Sequence, residues 1–222
     1  MSLLSSKNNK CLSNGANRTN LKRLNKDFSV LVTESQVYAE SKQQGKKSKL
    51  NEHYVVHDVI QTAKTNVTDF LLVINGPVDT LYTGSKIIFK VVIGQKRVYP
   101  FAAPSVTCVT SIYHPNIDRH GNICLDILAS GWVAGQTLVS IAASLSSFLD
   151  EPNPDDPLYP TAANLFKQNR NMYDKKVKEF VSKYATNDEY LRIKQGGSAE
   201  TKQSHIVEDE VEDDYDSEGS EN

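Results

Sequence analysis

His114-Pro115-Asn116, followed seven residues later by Ile123-Cys124-Leu125-Asp126 and then by Trp132, holds the residues best suited to do chemistry. One of the chain's three cysteines stands there among turn-forming residues, beside an amide side chain able to steady a developing negative charge. That pairing points to acyl transfer on a thiol. Cys108, inside an apolar strand pattern, reads as structural instead. His114 invites a general-base reading, but the proline after it fixes an extended turn and favours a structural histidine. Asn116 has two readings, an oxyanion donor or a loop tie through backbone groups. A zinc site built from Cys108, His114 and Cys124 is disfavoured because no C-x-x-C pair exists.

Positioning such a loop takes a real core. A chain of 222 residues, 39% hydrophobic, suggests one domain of roughly 150 to 180 residues with additional segments. An odd cysteine count, no signal-like apolar run after Met1 and no stretch near the roughly 18 apolar residues of a membrane span predict a cytosolic or nuclear protein with reduced thiols. The net charge of -2 hides an asymmetry: residues 208–222 carry nine Asp or Glu and no Lys or Arg, leaving the rest with 25 basic and 18 acidic residues, a balance of +7. Such a tail cannot bury enough apolar surface to order itself, so about 195–222 is expected to be disordered. It reads either as a solubilising tail or as an arm for a basic surface, on a partner or on the body of the chain.

The first ordered element is expected near Asn17 to Thr19, which offer side-chain caps. Leu21, Leu24, Phe28, Leu31 and Val32 then recur with helical spacing and leave Lys22, Arg23 and Lys26 on the opposite face. Ser41 to Ser48, lysine-rich and containing Gly45, reads as a flexible loop. Tyr54 to Thr62, Phe70 to Asn75, Lys86 to Ile93 and Ser105 to Thr110 read as strands, with turn signals that favour an antiparallel meander. Tyr113 to Gly135 follows no period and reads as a long structured loop. Thr137 should cap a buried helix carrying Leu138, Ile141, Leu145, Phe148 and Leu149, and further helices fit about Thr161 to Gln168 and Arg170 to Tyr184. The expected fold is α+β: an N-terminal helix, a four-stranded antiparallel meander, a long active-site loop, then three helices.

Tyr113-His114-Pro115-Asn116-Ile117, Gly121 to Leu128 around Cys124, Trp132, and Glu151-Pro152-Asn153-Pro154-Asp155-Asp156-Pro157-Leu158 together resemble the ubiquitin-conjugating enzymes. Gly76-Pro77, Tyr82-Thr83-Gly84, Tyr99-Pro100-Phe101 and Pro104 extend the resemblance over about Asn20 to Tyr184, in the family's element order. The division it implies is a disordered extension at 1–17, a catalytic core at 18–186 with a lysine-rich insertion at about 36–50, and a C-terminal extension at 187–222 ending in the acidic tail.

The resemblance implies that Cys124 accepts ubiquitin, or a ubiquitin-like modifier, from an activating enzyme as a thioester and passes it to substrate lysines, usually with a ligase. It implies the oxyanion role for Asn116, a loop-bracing role for His114, and for Asp156 the orientation of the incoming lysine. A carboxylate alone would hold a lysine charged, so the benefit of Asp156 should lie in positioning or in accepting a proton during attack. Asp126, Asn153 and Leu158 are further rim residues. Lys22, Arg23 and Lys26 match the helix face that the family offers to the activating enzyme. Phe101, Val133 and Ala134 fall where it meets ligases, although Val133-Ala134-Gly135 stands where many relatives carry Ser-Pro-Ala. No metal or organic cofactor is implied, ATP being used upstream, and neither nucleic acid nor membrane is expected as a partner. Two alternatives stay open: a cysteine hydrolase, for which the Pro-locked His114 is badly placed, and a non-catalytic modifier-binding module of the same fold.

Overall fold

The structure is a computed structural model that describes residues 9–43, 55–62, 67–94 and 99–198, with the side chains of the first helix described over 20–42. Helix α1 (Asn9–Gln43) leads into strands β1 (Val56–Gln61), β2 (Asp69–Asn75), β3 (Lys86–Val92) and β4 (Ser105–Cys108). A 3-10 turn, Asp126–Leu128, precedes α2 (Leu138–Asp150), α3 (Pro160–Gln168), α4 (Arg170–Tyr184) and α5 (Asn187–Lys194). The strands form one antiparallel meander in the order β1-β2-β3-β4. This is the expected α+β architecture, with one helix more than the three anticipated after the loop.

Helix α1 outruns its expected bounds at both ends. Its backbone is helical from Asn9, so the disordered extension anticipated at 1–17 does not hold for 9–17. It continues to Gln43, which removes 36–43 from the expected lysine-rich loop; the remainder, 44–50, lies outside the described residues. At the C-terminal end the reason is that no Gly or Pro interrupts the chain between Gly15 and Gly45; at the N-terminal end the helix passes through Gly15. The buried stripe is Leu24, Phe28, Leu31, Ser35 and Tyr38, whereas Leu21, expected to belong to it, is exposed.

The sheet is covered on both faces. Phe70, Leu72 and Ile74 of β2, in register with Val91, Phe89 and Ile87 of β3, point into the main core with α1 and α2. The alternate residues Leu71, Val73 and Ile88 form a second cluster with Val109 and with Tyr190 and Ile193 of α5. Thr186 caps α5 by accepting from the Glu189 N–H at 3.2 Å, Asp188 and Glu189 occupy its first turn, and Arg192 and Lys194 its last. These signals make 187–194, the start of the expected C-terminal extension, a helix, while residues beyond Ser198 lie outside the described residues.

Helix α2 begins with a reciprocal cap: the Ser140 N–H donates to Thr137 Oγ1 and the Thr137 N–H to Ser140 Oγ. It lays Leu138, Ile141, Leu145 and Leu149 into the core. Its end, around Phe148, meets the loop at His114.

Candidate active site

The cysteine sits on a hairpin that grows out of β4. The Cys108 N–H donates to the Gly121 carbonyl at 2.8 Å, and Thr107 bridges to Asn122. Gly121 has φ +79°, and a Cβ there would fall 2.1 Å from the Cys108 carbonyl oxygen, so only glycine fits this turn. Asp118 closes the turn: one carboxylate oxygen accepts from the N–H groups of His120 and Asn122, the other from the Asn122 side chain. Partial burial pushes that carboxyl up, but the Asn122 and His120 hydrogen bonds win and hold it below its ordinary range. Ile117, nearly inaccessible, then bridges to Ile123, and the Cys124 N–H donates to the Asn116 carbonyl at 3.2 Å.

This pairing fixes the backbone of Cys124 while leaving its thiol exposed and unpaired. Cys108 is the opposite case. It is fully buried, its thiol donates to the Thr110 carbonyl at 3.2 Å, and burial pushes it well above the usual thiol range. Of the two, only Cys124 can meet a macromolecular acyl donor.

His114 is a brace. Its ring is inaccessible, packed on Phe148 with centroids 4.6 Å apart. Nδ1 accepts from the Asn116 N–H at 3.1 Å, which requires Nε2 to carry the proton and donate to the Phe148 carbonyl at 3.1 Å. Both nitrogens are occupied within the fold, so His114 is not placed to deprotonate a thiol. Burial lowers its pKa to about 3, against the ordinary 6.5. The unfolded chain therefore takes up a proton below about pH 6.5 that the folded chain refuses until about pH 3, so this group's stabilisation is complete above 6.5 and is lost as pH falls towards 3. His57, lowered to about 4, acts in the same direction. Denaturant unfolding at pH 7 and pH 5 should show about 2 kcal/mol less stability at pH 5 from His114 alone. A flat response would contradict the buried neutral imidazole.

Asn116, 3% exposed, joins the two halves of the site. Its Nδ2 donates to the carbonyls of Asn153 at 2.7 Å and Asp156 at 2.9 Å, and its Oδ1 accepts from the Asn153 N–H at 2.7 Å. Both amide hydrogens are thus committed to the 153–156 segment, and the loop-tie reading describes the resting geometry. Its main chain holds Cys124 and its side chain holds the backbone of Asp156. The same segment is fastened by the Tyr159 N–H donating to the Pro115 carbonyl at 2.8 Å, with Arg119 over the Tyr159 ring at 5.4 Å. Tyr159 and Arg119 were not singled out from the sequence, although an aromatic immediately before the helix-starting Pro160 was a usable signal.

The rim residues are exposed. Asp126, Asn153, Asp156 and Leu158 all face solvent, and Asn153 Oδ1 accepts from the Asp155 N–H at 3.1 Å. Asp155 is a surface partner of Lys167 at 2.8 Å, with side chains 86% and 45% exposed, which distinguishes it from its neighbour Asp156.

The basic stripe of α1 divides. Lys22 and Lys26 are exposed. Arg23 instead turns inward: Nη2 and Nη1 donate to the carbonyls of Gln136 at 2.8 Å and Ala134 at 3.3 Å, and Nε donates to Asp27 at 2.8 Å. Asp27 is buried and also accepts from the Tyr99 hydroxyl, whose pKa rises through burial and then through that carboxylate. Arg23 is a clamp between α1 and the segment after Trp132, and its guanidinium is already engaged. Removing it leaves the buried Asp27 carboxylate with the Tyr99 hydroxyl but without its cation, so Arg23→Ala should lower stability by about 2 kcal/mol, against less than about 0.5 kcal/mol for Lys22→Ala. Equal, small effects in chemical denaturation would return Arg23 to the free surface.

Phe101 (73%) and Val133 (59%) are the most exposed large apolar side chains among the described residues. The Trp132 indole N–H donates to the Pro100 carbonyl at 2.8 Å, which brings the two neighbouring segments together. Ala134 is half-buried and contributes its carbonyl to Arg23. Among the described residues no group of three or more His, Cys, Asp or Glu could hold a metal, and no helix is long and apolar enough to cross a membrane.

An exposed thiol on a hairpin, braced by a buried His-Pro-Asn turn against a second loop, is an arrangement with relatives. Residues 30–181, more than half of the chain, match the sequence model of the ubiquitin-conjugating enzymes. Among solved structures, the E2 domain of a Toxoplasma gondii ubiquitin-conjugating enzyme is similar at 26% identity and a TM-score of 0.57, over 71% of this chain and 99% of that one. The motifs around Cys124, the order of its elements and the matched span agree: the chain belongs to the ubiquitin-conjugating enzyme family.

Proposed function

We propose that this chain carries ubiquitin, or a close ubiquitin-like modifier, as a thioester on Cys124 and transfers it to lysine. The carrying observation is the exposed, unpaired Cys124 thiol on a backbone held in place by Asn116. The Cys124 thiolate attacks the thioester of the charged activating enzyme; the acyl group moves to Cys124 and the activating enzyme's thiol leaves. A lysine amine then attacks the new thioester, an isopeptide bond forms, and the Cys124 thiol is released. ATP is used upstream, and neither step asks for a metal or organic cofactor.

Asn116 serves as a positioning residue that sets Cys124 against the 153–156 segment, and Asp156 guides the incoming amine. Lys22 and Lys26 form the charged face for the activating enzyme, a like-signed stripe that speeds encounter with an acidic partner. Phe101 and Val133 form the apolar face for a ligase. The same reading puts the protein in a thiol-reducing compartment, cytosol or nucleus. An exposed cysteine held this way favours a carrier over a non-catalytic binding module.

The test is a chase. Charged protein, freed of activating enzyme and ATP, should lose its adduct at a rate proportional to added free lysine, yielding modifier joined to lysine. Discharge only to water, at a rate indifferent to lysine, would overturn the transferase reading.

A further inference from the structure

A cavity of about 480 Å³ opens on the side of the molecule where the end of α1, β1, β3 and α5 meet. Its lining includes Lys42, Lys86 and Lys194, with His57, Asp58 and Tyr190. These charges do not balance. Asp58 is the one carboxylate in the lining, and it is fully engaged: Oδ2 accepts from Lys194 Nζ at 2.6 Å and from the Tyr190 hydroxyl at 2.7 Å. Lys86 donates at 2.6 Å to a neutral acceptor, Asn75 Oδ1. Lys42 lies over the Tyr38 ring at 5.7 Å and meets no carboxylate among the described residues. An ammonium has three donors, and among the described residues Lys86 fills one of them and Lys42 none.

His57 reports the same excess. Its ring is held between Tyr38 and Tyr190, with centroids 5.5 and 4.8 Å away, and its buried Nδ1 has no hydrogen-bond partner among the described residues. Burial and then the Lys86 charge lower its pKa to about 4; Asp58 opposes this, and Lys194 and Lys42 add smaller contributions in the lowering direction. Lys86 itself falls to about 8, through burial first and Lys42 second. A partly enclosed cavity whose cations outnumber its carboxylates among the described residues is complementary to further carboxylates.

We propose that this cavity seats an acidic peptide, and that its occupant is the chain's own segment 208–222. That segment carries nine acidic residues and no basic one, opposite in sign to the rest of the chain. It follows α5, which supplies Lys194 to the cavity, after thirteen intervening residues. A chain of that length reaches up to about 45 Å, enough to return to the helix it left. Past Gly196 the backbone already reverses: the Gly197 N–H donates to the Arg192 carbonyl and the Arg192 guanidinium to the Ser198 carbonyl. The tether also raises the local concentration of carboxylates at the cavity, so weak individual pairs suffice.

The test uses the full chain in two forms, native and with the nine acidic residues of 208–222 changed to Asn or Gln. NMR resonances of the His57 imidazole and of the Asp58, Lys86 and Tyr190 amides should differ between them. A synthetic peptide of residues 208–222, added to the neutralised form, should move those resonances back towards their native positions, saturably. Lys42→Gln, at an exposed position that tolerates the change, should weaken this titration about two- to fivefold, the range of one exposed ion pair. Identical spectra for the two forms would overturn the proposal. So would peptide shifts spread over the lysines of α1 and α4 and indifferent to Lys42→Gln. Saturation of the cavity by inorganic phosphate but not by the peptide would reassign it to a small anion.

Discussion

Cys124→Ser should turn a reductant-cleavable adduct into a reductant-resistant one and slow its formation by at least about a thousandfold, while Cys124→Ala should give no adduct at all. A serine hydroxyl can still form an ester with the modifier's carboxyl end, but it lacks the accessible anionic form that makes a thiol nucleophilic. Fold stability should stay within about 0.5 kcal/mol for both, because the thiol is exposed and the local hydrogen bond runs from the Cys124 backbone to Asn116, where neither variant touches it. Cys108→Ser should behave in reverse, with charging intact per folded molecule and stability reduced at a fully buried site. Quantitative charging with denaturant titration separates the two cysteines.

Asn116→Ala should separate charging from discharge. The substitution keeps the Asn116 carbonyl that holds Cys124, so thioester formation survives. It deletes the three side-chain hydrogen bonds to Asn153 and Asp156, so the segment that presents the Asp156 carboxylate is freed. Misplacement by about an ångström is enough for about a hundredfold loss, and discharge to lysine should fall by that order while charging changes far less. Stability should drop by about 2–3 kcal/mol, from three hydrogen bonds of about 1 kcal/mol each with partial replacement by water. Asn116→Asp should be worse, since it sets a carboxylate oxygen against two carbonyl oxygens. If Asn116 acts by placing Asp156, then Asn116→Ala and Asp156→Ala will be strongly non-additive in the discharge rate. Additive losses would move Asn116 from a positioning role to direct contact with the reacting carbonyl.

Local chemistry was legible in the residues and long-range partnership was not. The turn formers around Cys124, the Thr137 cap and the β-branched runs specify their own geometry within a few residues, and α2 and the meander appear where those signals place them. The expected long loop is instead pinned to β4 by the bridge from Thr107 to Asn122 and closed as a hairpin by that from Ile117 to Ile123, which its lack of period did not announce. Arg23 looked like a surface cation because its carbonyl partners lie 111 and 113 residues away. Asn116 was open between two roles for the same reason, its partners being 37 and 40 residues distant. Helix α5 is a different case. The run Phe70 to Ile74 is apolar without alternation, which marks a strand covered on both faces, and a second cover had to come from somewhere. Thr186 with Glu189 three residues on, acids first and bases last, was the matching helix signal. Helix α1 exceeds the expected bounds because Asn17 to Thr19 can lie inside a helix as well as cap one, and Gly15 is tolerated within it.

The central claim is that Cys124 carries the modifier, and the most direct measurement is a charging reaction with activating enzyme, ATP and ubiquitin, resolved with and without reductant and followed by mapping of the modified peptide. The account predicts one ATP-dependent, reductant-sensitive adduct on the peptide containing Cys124, absent from Cys124→Ala. Across a panel of ubiquitin and ubiquitin-like modifiers, each with its own activating enzyme, failure of every one to form an adduct at Cys124 would contradict it.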